Sequence, residues 1–392
     1  MIYVIILIVL ICMLLYFTVM KSKRKTRKRV SNLTAFMMFI LSMVRYGSGS
    51  DYFAYQYHYI YCPKNIYYAF TIYDPHLDIG YKALICLFKS LGLEFEVFIA
   101  VISFFTLLLC FIAIYKLSDN TFMSLFMFFT VYYQIYVNSA LRQGIAMALF
   151  FLVIYIIIEK DDISRKKRMK YCFGILLFAC LFHKSALITL GIFVIYRYSK
   201  KICANIDLLL IIAVIVSICS LLNIPSIIIF KVFSILGMDD NLGEASNNIF
   251  AIGLRATYLI IAIILYKLCK TKINDKEKFL LSVYAIGMIL YFGVSGFSLL
   301  SRLTEYFSIL EVILFPCLIK KLDSKSIKVA ITFFVAVVCS VLFIKDIASF
   351  LVQGNYFVEK VTEYPFVTIF NEEDIDLYRS DKYRDIIIGK KN

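Results

Sequence analysis

Four arginines stand beside or just inside the long apolar runs of this chain, where a cation needs a physical reason. Arg45 opens the stretch RYGSGSDY, Arg142 lies in NSALRQG, Arg302 lies in SRLTEY, and Arg255 is about one turn inside an apolar run. A planar guanidinium can donate two parallel hydrogen bonds to phosphate oxygens. The alternative is that each arginine snorkels or pairs with a nearby carboxylate. Because all four are predicted near helix ends on one face, the pattern favours an anion-binding site.

Two further residues are candidates for proton transfer. Asp51 follows Gly47 and Gly49, so the backbone there can bend sharply towards a ligand, and its carboxylate is a candidate general base or a holder of one arginine. The alternative is a solvated loop residue. His183, with Lys184 beside it, divides an apolar stretch into halves. It could bind an anion, shuttle a proton, or cap the backbone of a broken helix.

Composition argues against metal, cofactor and nucleic-acid chemistry. The three histidines are scattered, and the eleven cysteines lie mostly in apolar segments with no CxxC pair, so no metal site and no cofactor are predicted. The net charge of +15 comes from short basic runs next to apolar stretches. Such runs are typical of cytoplasmic loops that obey the positive-inside rule, so nucleic acid is not an expected partner.

Membrane-spanning helices must position these residues. Hydrophobic residues make up 61% of the 392 and charged residues only 18%, with a mean hydropathy of +0.82. Lipid is therefore the expected solvent, and the expected fold class is an all-α polytopic membrane protein. About ten transmembrane helices are predicted, at residues 2–20, 30–44, 93–115, 122–136, 144–158, 206–222, 250–268, 279–299, 306–320 and 328–345.

Charge fixes the predicted orientation. Residues 21–29 hold seven basic residues and are placed in the cytoplasm, which puts both termini outside. The basic loop at 159–170 also falls in the cytoplasm, and the basic clusters after residue 269 do so only if 171–197 enters the membrane and returns. We therefore predict a broken or re-entrant helix pair around His183. Residues 1–345 form the predicted transmembrane domain, which includes an outer segment at 45–92 and an interfacial helix at Ile224–Leu236. Residues 346–392 form a predicted extracytoplasmic tail.

The motifs have a familiar order along the chain. They are RYGxGxDYxxY with Arg45, Tyr46, Asp51 and Tyr52; DIGY with Asp78; LRQGIA with Arg142 and Gln143; LFHKSAL with His183 and Lys184; and SR through YF with Arg302 and Tyr306. This set resembles the EpsG-like branch of the Wzy-type polysaccharide polymerases, which are membrane enzymes of bacterial exopolysaccharide and O-antigen assembly. Asp78 departs from the family's frequent Glu, and Tyr364-Pro365-Phe366 is similar to a tail element.

The resemblance implies a function. Such polymerases join oligosaccharide repeat units carried on undecaprenyl pyrophosphate at the outer face of the bacterial cytoplasmic membrane, with lipid pyrophosphate as leaving group. Arg142 and Arg302 would bind the pyrophosphate with Arg45 and Arg255 in support, and Asp51 or His183 would be the base. The fold would resemble lipid-dependent membrane glycosyltransferases. Partners would be the lipid-linked oligosaccharide, membrane lipid, a chain-length regulator and a flippase. The alternatives are a lipid-linked oligosaccharide flippase or a polysaccharide acyltransferase.

Overall fold

The computed structural model describes residues 2–20, 22–159, 164–235, 248–358 and 368–370, and this part of the chain is all-α, as predicted, with no β-strand. The helices are α1 (Ile2–Val19), α2 (Arg24–Met43), α3 (Tyr52–Tyr61), α4 (Ile66–Thr71), α5 (Ile79–Ser90), α6 (Phe95–Leu117), α7 (Thr121–Met127), a π-helix (Phe128–Ser139), α8 (Leu141–Glu159), α9 (Arg165–Cys180), a 3₁₀ helix (Lys184–Leu190), α10 (Gly191–Arg197), α11 (Ser199–Ala204), α12 (Ile206–Leu221), α13 (Ile224–Ile235), α14 (Ile249–Cys269), α15 (Asp275–Val294), α16 (Ser298–Ser308), α17 (Glu311–Lys320) and α18 (Lys325–Val358).

Six of the described helices are long and apolar enough to cross a membrane, namely α1, α6, α8, α14, α15 and α18. The count becomes seven if α12 and α13, which meet at a bend of 79°, form one span. The predicted number of about ten is therefore not confirmed. The other predicted spans fall on helices that are interrupted or carry charge: α2 begins in the basic run, α7 gives way to the π-helix, and α17 has only 10 residues.

Contacts between helix ends define two ends of the bundle. At one end, which we name the basic end, Lys270 pairs with Asp207 at 2.8 Å and Lys321 with Glu277 at 3.0 Å. At the opposite end, Tyr52 packs against Phe95, which places the start of α3 beside the start of α6. All five sequence motifs lie at this second end, which we name the motif end. The charge asymmetry is the one expected of a membrane protein whose basic end faces the cytoplasm.

Residues 165–197 form a hairpin that leaves the basic end and returns to it. Its outgoing limb is α9, and its return limb is the 3₁₀ helix with α10. At the feet of this hairpin, Arg168 donates a hydrogen bond to the hydroxyl of Tyr196 at 2.6 Å. At the tip, the carbonyl of Leu181 accepts from the N–H of Gly80 at 2.8 Å. The predicted break around His183 and the return of the chain are confirmed.

The enclosed centre of the bundle is built on α8 and α15, each with 67% of its apolar span buried, against 28% for α1. The π-helix packs close to α8, since a Cβ at Gly144 would come within 1.8 Å of the Tyr136 carbonyl oxygen. Only glycine permits this approach, which brings the start of α8 under the π-helix. A π-helical turn is rare and occurs often at functional sites.

A second core holds the outer segment 45–92 in place. It is rich in aromatic rings, including Tyr46, Tyr52, Phe53 and Phe98, which meet mostly edge to face. Two elements of the tail can also be placed. Helix α18 continues through the predicted boundary at residue 345, and the N–H of Ile369 donates to the carbonyl of Val44 at 3.0 Å. The element at 364–366 lies outside the described residues.

Candidate functional site

The start of α8 carries the central ion pair of the motif end. Arg142 Nη1 donates to Asp78 Oδ2 at 2.7 Å, with the Arg142 side chain 28% exposed and Asp78 7% exposed. Asp78 is the residue just before α5, so the pair ties the outer segment to the membrane bundle. Tyr55 and Tyr81 lie beside the same guanidinium. One edge of Arg142 is thus fixed by a carboxylate, while part of its side chain stays open to solvent.

The hairpin tip and α16 complete the cluster. Asp78, Arg142 and Arg302 are the charged groups near enough to act on the half-buried His183 ring. The His183 ring also contacts the Ser185 hydroxyl, which lies 2.9 Å from the Tyr306 hydroxyl. The structure therefore brings four motifs of the sequence together at one place, the exception being the stretch around Asp51.

Arg302 is held by its backbone and not by a carboxylate. The Gln143 side-chain amide donates to the Arg302 carbonyl at 2.9 Å, and Gln143 is buried. The Arg302 side chain itself is exposed, and no ion pair involves it among the described residues. Arg142 and Arg302, which lie on two helices, both act on the His183 ring, so a site for one anion between them stays a prediction. Two guanidiniums on a shared site suit a ligand with several anionic oxygens.

Asp51 lies at the edge of this cluster. It is the N-cap position of α3, and its carboxylate accepts a hydrogen bond from the Ser50 hydroxyl at 2.9 Å. Burial and the negative charge of Asp51 raise the pKa of Tyr55 to about 12, so the Tyr55 hydroxyl stays protonated. Since Tyr55 also adjoins Arg142, a single ring separates the candidate base from the candidate anion site.

Two glycines set the positions of these groups. A Cβ at Gly80 would lie 2.8 Å from the Leu181 carbonyl oxygen, so glycine allows α5 to touch the hairpin tip beside His183. Gly49, with φ +107°, has its missing Cβ 2.2 Å from the Asn138 carbonyl oxygen. That approach, together with the contact between the Ser50 and Ser139 hydroxyls, places the Asp51 loop against the end of the π-helix.

Arg45 is in the interior, which differs from its predicted place at a helix mouth. Its side chain is only 3% exposed, and its Nη1 donates to the Ser42 carbonyl and to the Ser103 hydroxyl, both at 2.9 Å. Tyr133, Tyr52 and Tyr3 surround it. The backbone of Arg45 also bridges to Thr368. These contacts join α2, α6 and the tail, and they engage only Nη1 of the guanidinium, while Nε and Nη2 are buried with no hydrogen-bond partner among the described residues. The support that Arg45 would give to pyrophosphate binding stays a prediction.

Arg255 has carboxylate partners, which is the alternative stated for each arginine, and its use for pyrophosphate stays a prediction. It pairs with Glu305 through Nη2 and with Glu311 through Nη1, the latter at 3.3 Å, and its side chain is 13% exposed. Tyr132 donates to Glu311 at 2.7 Å. Sequence reasoning missed these acids. Glu311 could have indicated this ion-pair network, since it is a carboxylate at the start of an apolar run and an intramembrane charge requires a counter-ion.

The remaining motif residues have structural surroundings. Tyr46 and Tyr52 are buried in the aromatic core of the outer segment. Lys184 is exposed at the start of the 3₁₀ helix. His183 also caps that helix, because its ring nitrogen accepts from the Ser185 N–H at 3.3 Å, so the capping alternative is realised in the fold. Capping does not remove the ring from the charged cluster.

Ligand-type side chains for a metal come together at the basic end instead. Within the described residues, Asp119, Glu277 and Cys317 place ligand atoms within 4.8 Å of one another. Lys276 and Lys321 already pair with the two carboxylates, at 3.9 and 3.0 Å. The group is thus close to neutral without a cation and lies away from the motif end. The absence of a metal cofactor stays a prediction.

Comparison with known families bears directly on this cluster. The family model described as EpsG family matches residues 28–358, which is most of the chain. This chain belongs to the EpsG family. The matched EpsG region includes every motif and every member of the motif-end cluster, and it stops where α18 ends. No curated protein and no solved structure matches the chain. The resemblance predicted from the motifs is confirmed, and the family supports a role in polysaccharide polymerisation at a membrane.

Proposed function

We propose that this EpsG-family protein polymerises oligosaccharide repeat units carried on undecaprenyl pyrophosphate, at the outer face of the bacterial cytoplasmic membrane. The observation that carries the proposal is that Asp78, Arg142 and Arg302 all lie near enough to His183 to act on its ring, at the end of the bundle opposite the basic loops. A transfer from a lipid carrier places the reacting bond at a membrane surface. The cluster occupies that position if the basic end faces the cytoplasm.

The reaction requires positive charge where the leaving group departs. An acceptor hydroxyl oxygen forms a bond to the anomeric carbon of the growing chain, the bond from that carbon to the pyrophosphate oxygen breaks, and the lipid pyrophosphate gains negative charge. Fixed donors aimed at developing charge are usually the largest electrostatic contribution to such a step. Arg142 and Arg302 supply these donors in the proposal, and Asp78 acts as a positioning residue that holds one edge of Arg142.

The acceptor hydroxyl must lose its proton to a base. Asp51 is the first candidate, because its carboxylate is partly exposed and lies one ring away from Arg142 through Tyr55. His183 is the second candidate, because the charges of Arg142 and Arg302 both act on its ring. A general base of this kind contributes about 10²–10⁴-fold to a rate, so either assignment is measurable.

A cavity next to the cluster suits the acceptor sugar. It measures 170 Å³ and is lined by apolar side chains, by tyrosine rings and by two ion pairs, in which Glu305 meets Arg255 and Asp346 meets Lys345. Tyr136 is close enough to Arg302 and Glu305 to sense their charges, which supports a position for the cavity near Arg302. Tyrosine offers an apolar ring face together with a polar hydroxyl, and carboxylates accept hydrogen bonds from sugar hydroxyls. We assign the cavity to the non-reducing end of the acceptor unit.

The alternatives place the chemistry differently. A lipid-linked oligosaccharide flippase would need charge along a path between the two faces, whereas Arg142, Arg302 and His183 lie together at one end. A polysaccharide acyltransferase would use His183 to activate a hydroxyl but would have no need of two arginines beside it. These observations favour the polymerase.

Deletion of the gene separates the classes. Polymer should disappear while a single lipid-linked repeat unit persists on the outer leaflet, where an added lectin binds it in intact cells. Trapping of that unit on the inner leaflet would instead identify a flippase. Persistence of full-length polymer lacking only acyl groups would identify an acyltransferase. Complementation with the wild-type chain controls for loss of neighbouring genes.

A further inference from the structure

The basic end contains a cavity that the proposed polymerase chemistry does not use. It measures 520 Å³ and lies between the feet of the 165–197 hairpin, the last turn of α8 and the first turns of α15. Four of its lining residues are cationic and one is acidic: Arg168, Lys200, Lys276 and Lys278, with Asp275. A concave surface with surplus positive charge concentrates field and attracts an anion.

The cations differ in how they are held. Arg168 is 6% exposed and bonds the Tyr196 hydroxyl, so it is fixed in the wall. Lys276 lies 3.9 Å from Asp119 and donates to the Leu117 carbonyl at 3.1 Å. Within the described chain no ion pair engages Lys200 or Lys278. Among the described acids none pairs with these two lysines, so they supply the positive charge of the cavity that an anion can meet.

The other walls of the cavity are apolar. Ile157, Ile158 and Phe279 belong to α8 and α15, which are two of the candidate spans. On the return limb of the hairpin, Val194 is 60% exposed and Tyr198 is 53% exposed, next to the lining residues Tyr196 and Ser199. A ligand here meets charge at its head and apolar side chains along its length. Basic pockets between membrane helices on the cytoplasmic side are suited to acidic lipid head groups.

We propose that this cavity binds the phosphate head group of an anionic phospholipid from the leaflet that adjoins the basic end. The phosphate lies between Lys200 and Lys278 with Arg168 behind it, and an acyl chain follows the apolar wall. Bound lipid braces the feet of the hairpin whose tip carries His183. The proposal does not rest on the polymerase assignment, because lipid binding is measured without any glycan.

The test uses the full chain, delipidated in a neutral detergent and titrated with phosphatidylglycerol in mixed micelles that contain constant phosphatidylcholine. The readout is the midpoint of thermal unfolding. The wild type should show a saturable rise. Lys200→Gln combined with Lys278→Gln should need about 25-fold more phosphatidylglycerol, since one basic residue near an acidic leaflet is worth about a fivefold factor. The matched control, Lys166→Gln combined with Lys325→Gln, removes two exposed lysines outside the cavity lining and should titrate like wild type.

A variant that should bind the lipid more tightly keeps the test decisive if the Lys200/Lys278 double variant does not fold. Asp275→Asn removes the acidic lining residue and should tighten binding about fivefold. An unchanged titration in Asp275→Asn, or equal titrations in wild type and the Lys200/Lys278 variant, would show diffuse attraction and overturn the proposal. Saturation of the same shift by inorganic phosphate or glycerol 3-phosphate would assign the cavity to a soluble anion and overturn the lipid assignment.

Discussion

Arg142→Lys tests geometry separately from charge. In the structure, Arg142 uses Nη1 for Asp78 at 2.7 Å, and 28% of its side chain is exposed, so in the proposal its remaining donors bind the anion. A lysine ammonium is a point charge on a flexible stem, so it can retain the contact with Asp78 but cannot also present a planar pair of donors. If Arg142 binds the leaving pyrophosphate, the lysine variant should insert normally and lose most activity.

The size of the effect follows from the lost donors. Removal of one preorganised donor to developing negative charge costs about 10²–10³ in rate, which is about 2.7–4 kcal/mol. We expect at least about a hundredfold slower polymerisation for Arg142→Lys, and Arg142→Ala should do little worse. The alanine variant is less clean, because it leaves Asp78, which is 7% exposed, without its partner. Stranding one partner of a partly buried pair lowers stability as well.

The assay is polymer yield at matched membrane protein level, with thermal stability of the purified variants as the second readout. Arg197→Lys is the control, since Arg197 is exposed on the return limb at the basic end and should tolerate the change. A fully active Arg142→Lys would refute the reasoning, because an interfacial anchor that only snorkels works equally well as lysine. The pyrophosphate assignment for this residue would then end.

Three further predictions address the base, the hairpin tip and the orientation. Asp51→Asn should keep normal abundance and lose about a hundredfold or more in polymerisation; near-normal activity would make His183→Gln, run in parallel, the informative variant. Gly80→Ala should lower the free energy of unfolding by about 1–3 kcal/mol and reduce activity, because its Cβ would press on the Leu181 carbonyl. The matched control is Gly174→Ala, whose Cβ meets nothing within 4 Å and which should be neutral. Equal behaviour of the two variants would contradict the packing argument. Reporter fusions should read cytoplasm after residues 25, 165, 274 and 324 and outside near 60, 235 and 370; an outside reading at 274 would contradict the hairpin course.

The sequence was sufficient to predict that the motifs lie at one end of the helix bundle, but not to predict which of their side chains make contact. Spacing and residue type single out Arg142, Arg302 and His183. The placement of all basic loops on one side of the membrane requires the hairpin that the structure contains. The ion pair between Arg142 and Asp78 joins residues far apart in the chain, and neither apolar periodicity nor charge counts predict which acid meets which base. Long-range pairing depends on how helices pack, and helix packing is what a single sequence constrains least.

Arg45 and Arg255 have surroundings that the sequence did not predict, for local reasons. Arg45 stands at the end of an apolar run, but Gly47 and Gly49 both have positive φ, at 64° and 107°, and the loop they form follows a buried Arg45. Arg255 lies near two acids that the linear pattern places on other helices. The count of about ten spans is not confirmed for a related reason. The hydropathy of residues 122–136 and 306–320 indicates crossings, whereas the π-helix and the short α17 interrupt regular helix there.

Helix α16 connects the two polar centres of the motif end. Arg302 and Glu305 are three residues apart on it, so their side chains lie on neighbouring positions of one face. Its backbone is fixed near the cluster by the Gln143 amide on the Arg302 carbonyl and by the Tyr306 hydroxyl against Ser185. The exposed Arg302 side chain can therefore change partner without displacing the helix. An incoming pyrophosphate would draw this guanidinium towards Arg142, while Glu305 stays with Arg255 beside the tyrosine-lined cavity. One rigid helix then sets the distance between the leaving group and the acceptor, which is the spacing that a glycosyl transfer must keep constant through repeated cycles.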